Sequence, residues 1–263
     1  MAPGAKDVRT LEGDVAIVTG AGSRIGAATA RELARRGATV VLVARRMDDL
    51  QVHAHAIREA GGKALTMPAD VGDAGAVQLL AERTLSTFGR VDVVVNNGDA
   101  CWLATLESSS ADEIARVVEV NLLSLMLLTR AVLPGMRDRR RGAIISVESL
   151  SGPVATEPAH AATKSGVRGF SLCLRRQVVR TGVSVSLVSL GSDASVGGEV
   201  MGRLPGPDAV AATIADLVTE PRHEVDIQCG RYGLASAEEA VLAPVYLAPN
   251  GHQHISQVKK GAT

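Results

Sequence analysis

Seven short runs rich in Val, Ile and Leu recur along the chain, each separated from the next by a stretch of helical period. The runs are "DVAIVTG" (14–20), "ATVVLVA" (38–44), "KALTMPA" (63–69), "RVDVVVNN" (90–97), "GAIISVES" (142–149), "VSVSLVSL" (183–190) and "HEVDIQC" (223–229). The intervening patterns predict helices over 24–36, on to about 60, through Phe88, over Ala111–Asp138 as one long helix, over 159–180 and over 208–219. Near-continuous apolar strands alternating with helices are buried on both faces, which requires a parallel sheet sandwiched between helical layers. Right-handed crossovers then make the sheet doubly wound. The expected architecture is a single α/β domain over 11–251, with polar, mobile segments at 1–10 and 252–263.

Composition excludes several kinds of function. Lys+Arg and Asp+Glu each number 28, so no charge excess points to nucleic acid or to a membrane surface. Aromatic residues are 2% of the chain, too few for base- or sugar-stacking platforms, and the core must come from the aliphatic part of the 46% that is hydrophobic. Cys101, Cys173 and Cys229 have neither metal-ligand nor disulfide spacing, so no metal is expected, and a reducing cytoplasm is the simplest compartment. The first ten residues lack a signal core, and the apolar runs look short and interrupted, so no membrane span is expected.

In a doubly wound sheet, ligands bind outside the carboxyl ends of the strands. After the first strand comes "TGAGSRIG", Thr19–Gly26. Gly20 permits a tight turn and Gly26 close helix packing, while Ser23, Arg24 and Ile25 open a helix whose backbone N–H groups suit a pyrophosphate. This is the phosphate turn of a Rossmann-type dinucleotide site. Where such a site reads the adenosine ribose, at the end of the second strand, Ala44 is followed by Arg45 and Arg46 and by no acid. Two cations there favour the 2′-phosphate of NADP(H), and Arg24 could join the patch.

By these motifs the chain resembles the short-chain dehydrogenase/reductase family, from about Asp14 to Phe170 and more weakly to Arg222. The resemblance is carried by "TGAGSRIG", "ADV" (69–71), "NNGD" (96–99), "VNLLSLMLLTRAVLPGM" (120–136), "GAIISVESLSG" (142–152) and "AATKSGVRGF" (161–170). It implies an NAD(P)-linked oxidoreductase acting on a ketone/secondary alcohol pair of some small molecule. It implies catalytic roles for Asn121, Ser149 and Lys164, with Lys164 also holding the nicotinamide ribose, adenine contacts at Asp70 and Val71, and a ribose-side turn at Asn97 and Gly98. A homotetramer, or at least a homodimer, built on the helices that begin near Ala111 and Ala159, is also implied.

The departures from the family pattern cluster at the carboxyl-end rim. The family's Asn-Asn-Ala-Gly reads Asn96-Asn97-Gly98-Asp99, a small residue before the serine is Glu148, and the catalytic tyrosine is His160. His160 lies four residues before Lys164, one helical turn away. Imidazole titrates near neutrality, so His160 can serve as acid or base: a neighbouring Lys164 favours the base, and a neighbouring Glu148 or Asp99 favours the acid. Three functions stay open on this reading: redox chemistry with an altered proton donor, non-redox acid–base chemistry (cyclase, dehydratase or isomerase) on the same fold, and nucleotide binding without catalysis.

Overall fold

The order of the strands explains where a ligand would sit. The computed structural model describes residues 10–101, 105–150, 158–191, 206–222, 224–228 and 231–233. Strands β1 (Val15–Thr19), β2 (Thr39–Ala44), β3 (Lys63–Pro68), β4 (Val93–Asn96), β5 (Gly142–Leu150), β6 (Val183–Gly191) and β7 (Glu224–Gln228) pair in parallel. A short β8 (Arg231–Gly233), which the strand pattern did not suggest, adds antiparallel to β7. The sheet order is β3-β2-β1-β4-β5-β6-β7-β8. The chain thus winds outward from β1, returns to its other side at β4 and winds outward again, leaving a crevice between the carboxyl ends of β1 and β4.

Helices α1 (Arg24–Arg35), α2 (Met47–Glu59), α3 (Ala74–Phe88), α4 (Ala111–Val118), α5 (Ser124–Asp138), α6 (Pro158–Gln177) and α7 (Pro207–Thr219) connect the strands. Successive strand residues feed opposite layers. Val18, Leu42 and Ile145 pack with Leu33 of α1 and Ile214 of α7, whereas Ile17, Val41 and Ile144 pack with Leu80 of α3 and Leu128 of α5. Because both faces are covered, the strands show no polar alternation; each buried Val, Leu or Ile contributes about 1.5–3 kcal/mol. Asp73 accepts from the N–H groups of Gly75 and Ala76 to start α3, and Ser110 and Glu113 form a reciprocal cap on α4.

The helix expected over Ala111–Asp138 is not continuous. Residues Glu119–Leu123 form a π-helical turn between α4 and α5. A π-turn inserts a residue into the helical register, so the faces of α4 and α5 are rotated relative to each other, a feature that local propensity does not signal. The same run, 28 residues with a most-apolar-window hydropathy of 1.6, is long and apolar enough to cross a membrane by length and composition, more so than the sequence reading allowed. Part of its apolarity is used internally: Leu125, Leu128, Val132 and Met136 of α5 are buried.

At the amino-end edge, buried Asp14 accepts two hydrogen bonds from Arg141 (2.6 and 2.7 Å), and buried Asp92 accepts from Arg90 and from the Val15 N–H. These ion pairs tie β1, β4 and β5 together far from the crevice. Of the expected mobile ends, residues 1–9 and 252–263 lie outside the described residues, as does Cys229.

Candidate active site

The crevice is built first by the turn after β1. Gly20 has φ +64°, a left-handed conformation that favours glycine. A Cβ on Gly26 would lie 2.2 Å from the Gly20 carbonyl oxygen, so the helix can begin this close to the turn only without a side chain. Ser23 caps α1 by accepting from the Gly26 N–H at 3.1 Å. Asn97 ties this turn to the end of β4: its amide donates toward the carbonyls of Thr19 and Gly20 (3.3 Å each) and to Ser23 Oγ (3.2 Å), and its N–H meets Thr19 Oγ1 at 3.0 Å. The Gly98 N–H meets the same hydroxyl at 3.1 Å. Asn97 and Gly98 therefore shape the cradle, and the first turn of α1 faces a cleft of about 750 Å³.

One end of that cleft is cationic. Arg24, Arg45 and Arg46 all line it and are exposed. Arg46 turns partly aside, its Nε 3.3 Å from Asp49. Beyond β3, Asp70 accepts from the Gly72 N–H at 3.0 Å and is clasped by Arg116 of α4. Burial by itself would raise the Asp70 carboxyl, but the Arg116 and Gly72 hydrogen bonds outweigh it and hold the group below the usual carboxylate range. Val71 lines the cleft beside it. Arg116 had no signal of its own in the sequence beyond lying on the helix that leads to Asn121.

The other end holds the departures from the family pattern. His160 and Lys164 lie on one face of α6, 5% and 8% exposed, and both reach Asp99. Asp99 Oδ1 is 2.9 Å from Lys164 Nζ and 3.1 Å from His160 Nε2. Burial would raise the Asp99 carboxyl; the His160 hydrogen bond and the Lys164 charge overcome that, and the group is held below its ordinary range. An ionised Asp99 can only accept, so its contact with His160 is a hydrogen bond when Nε2 carries hydrogen.

Glu148 plays a different part. It is 3% exposed and accepts from Ser189 Oγ of β6 at 2.8 Å, with Arg168 of α6 at 3.6 Å. Of the two acids weighed as neighbours of His160, Asp99 is the one whose carboxylate touches the ring. Asn121 sits in the π-turn and is buried. Its amide donates to the Ala100 carbonyl (2.8 Å) and Thr163 Oγ1 (3.2 Å), and its carbonyl accepts from the Ala100 N–H (2.7 Å). It thereby fixes the backbone beside Asp99. Ser149 lies near the carboxyl end of β5, in register with Leu190 of β6. Of the expected residues, Gly20, Ser23, Arg24, Ile25, Arg45, Arg46, Asp70, Val71, Asn97, Gly98 and Lys164 line the cleft, as do Asp99 and Arg116, while His160 and Asn121 reach it through Asp99 and Ala100.

No group of His, Cys, Asp and Glu among the described residues has the arrangement of a metal site. Over most of its length the chain is similar to known proteins. The family model described as short chain dehydrogenase matches residues 14–195. Ketoacyl reductase HetN of Nostoc sp. is 35% identical over 75% of this chain and 70% of its own length. Cis-4-hydroxycyclohexanecarboxylate dehydrogenase of Sinomonas cyclohexanicum is 36% identical over 78% of this chain and 89% of its own. The crystal structure of a metagenomic short-chain oxidoreductase in complex with NADP superposes with a TM-score of 0.74 at 35% identity, covering 83% of this chain and 97% of that one. The match runs from the first strand of the sheet past the sixth and includes both ends of the cleft; the chain belongs to the short-chain dehydrogenase family.

Proposed function

We propose that this protein is an NADP(H)-dependent oxidoreductase acting on a ketone/secondary alcohol pair, with His160 in the proton-transfer role that the family gives to tyrosine. The observation that carries it is that Lys164 and Asp99 line the same crevice as the glycine turn and that His160 touches Asp99. The cofactor fits the residues present. The cradle of Gly20 and Gly26 leaves no room for a Cβ, the α1 N-terminus faces the cleft, and three arginines stand at the ribose-phosphate end, with Asp49 beside Arg46. The structurally similar oxidoreductase is itself a complex with NADP.

When bound, NADPH supplies the hydride. The chain's own residues do the rest. Gly20, Ser23, Arg24, Ile25 and Gly26 would hold the pyrophosphate, Arg45 and Arg46 the 2′-phosphate, and Asp70 and Val71 the adenine side. His160 gives a proton to the developing alkoxide, or takes one in the reverse direction. With Nε2–H donated to Asp99 Oδ1, which also touches Lys164 Nζ, the proton exchanged with the substrate oxygen is the one on Nδ1, and solvent returns it to that atom. Ser149, from the end of β5, would steady the substrate oxygen, and Asn121 holds the Ala100 backbone beside Asp99.

One observation favours a second reading, non-redox acid–base chemistry. Lys164, which the family resemblance assigns to the nicotinamide ribose, is here engaged by Asp99. Incubation with NADPH deuterated at C4 and a small panel of ketones separates the two. Deuterium appearing in an alcohol product supports the redox reading; turnover of a substrate with no label transfer overturns it.

We also infer that copies pair through α5 and α6. Met126, Leu133 and Pro134 of α5 and Phe170 and Leu174 of α6 line an outward groove of about 520 Å³, an apolar face suited to a symmetry-related copy.

A further inference from the structure

We propose that Asp99 is a positioning residue that adapts this site to an imidazole: its carboxylate cancels the Lys164 ammonium and keeps hydrogen on His160 Nε2, so the departures at 99 and 160 act as one device. This rests on His160 as the proton-transfer residue, and it deepens that reading by naming what makes a histidine workable there.

The physical argument begins with the family pattern that the sequence resembles, a tyrosine four residues before a lysine and a glycine where Asp99 stands. A phenol ionises at about 10, so a bare ammonium beside it is useful, because it stabilises the phenolate. An imidazole needs no such help, and a bare ammonium at the same spacing would repel the imidazolium and strip the ring of the proton it must deliver. A glycine at 99 could do nothing about this. Asp99 places one oxygen 2.9 Å from Nζ and 3.1 Å from Nε2, between the two cationic groups. Its side chain is still 41% exposed toward the cleft, yet its carboxyl is held ionised by those two partners.

The backbone that carries Asp99 is itself fixed. Asn121 clamps Ala100 from both sides, and Asn97 and Gly98 are anchored to Thr19, so the carboxylate is presented from a braced turn. His160 meets Asp99 from the turn after β4 and, through the same oxygen, Lys164 on its own helix. Glu148 of β5 accepts from Ser189 Oγ, with Arg168 close by. Among the described residues, Asp99 is the acid bonded to the ring.

Two measurements test this without knowledge of the substrate. The first is a long-range ¹H–¹⁵N correlation spectrum of the histidine ring nitrogens against pH, assigned with His160→Gln, in the wild type, in isosteric Asp99→Asn and in Asp99→Gly. The expected result is hydrogen on Nε2 of the neutral wild-type ring, and loss of the ring's charge at a pH lower by about 1–3 units in both variants. Unchanged midpoints in the folded Asp99→Asn protein would overturn the proposal. The second compares His160→Tyr with the double variant Asp99→Gly/His160→Tyr, which restores the family's residues at both positions. Ultraviolet absorbance should show the introduced phenol ionising at lower pH in the double variant by about one unit or more. Equal phenol midpoints would show that Asp99 does not control the residue at 160. Label transfer from NADPH can fail while both titrations behave as expected. That outcome would sink the redox reading and leave the Asp99 pairing standing.

Discussion

Asp99 Oδ1 lies 3.1 Å from His160 Nε2, although the two residues are 61 positions apart and on different elements. The contact joins the turn after β4 to the first turns of α6, and the same oxygen holds Lys164. The three ionisable groups that meet here are thus brought in from two places.

Removing the ring should expose its role. His160→Ala and His160→Phe should each reduce turnover by about 10²–10⁴-fold, the usual cost of losing a positioned acid or base. NADPH affinity should change little, because His160 is not part of the cradle. Steady-state kinetics with calorimetry on the same preparations checks both halves, and wild-type turnover in His160→Ala would exclude the proton-transfer role.

The arginine rim should select the cofactor. NADPH should bind more tightly than NADH, and Arg45→Asp should reduce the preference by roughly 10–100-fold, given about 1.5–3 kcal/mol for a hydrogen bond to a charged group. Calorimetric titration with both nucleotides reads this. Equal affinities in the wild type would contradict the assignment of Arg45 and Arg46 to the 2′-phosphate.

Gly26→Ala should damage the cradle. The added methyl would lie 2.2 Å from the Gly20 carbonyl oxygen and 2.8 Å from the Asn97 amide, and neither can retreat without breaking the turn. Overpacking of this kind costs about 1–3 kcal/mol. Denaturant melts should show a lowered midpoint and calorimetry a weakened NADPH response; a variant as stable and as competent as wild type would mean that the turn is more compliant than its contacts indicate.

Acid should loosen the adenine end. The Asp70 carboxyl is depressed in the folded chain by Arg116 and Gly72 against the opposing effect of burial. A carboxyl lowered on folding contributes stability that is present above its unfolded value, about 3.9, and is lost as pH falls through the folded one. Asp14 has the opposite sign: burial, partly offset by Arg141, raises it, so its contribution is present at low pH and is lost as pH rises toward the folded value. Thermal melts between neutral pH and about pH 3 should show a shallower acid-side decline in Asp70→Asn than in the wild type. A parallel pair of curves would show that the Arg116 clasp contributes nothing to folding.

Assembly through α5 and α6 predicts a particle heavier than one chain. Light scattering at micromolar concentrations should return a multiple of 27.2 kDa, and Met126→Asp in the outward groove should lower it. A wild-type mass of a single chain would remove the pairing.

The seven parallel strands were legible in the sequence and form where the Val/Ile/Leu runs lie, because strands buried on both faces must be apolar at nearly every position and that pattern is local, whereas the short antiparallel β8 was not. The phosphate turn was legible for the same reason: Gly20, Ser23 and Gly26 are neighbours in the chain, although the brace that Asn97 brings from the end of β4 was not. Tertiary structure decided the rest. The π-turn that seats Asn121 breaks what reads locally as one helix, since its extra residue is accommodated by contacts with Ala100 and Thr163. The clasp of Arg116 on Asp70 spans 46 positions, and the choice between Asp99 and Glu148 as the acid on His160 depends on which strand end each occupies. Period and propensity report which face a residue takes; only the crossing of distant segments sets which charge it meets there.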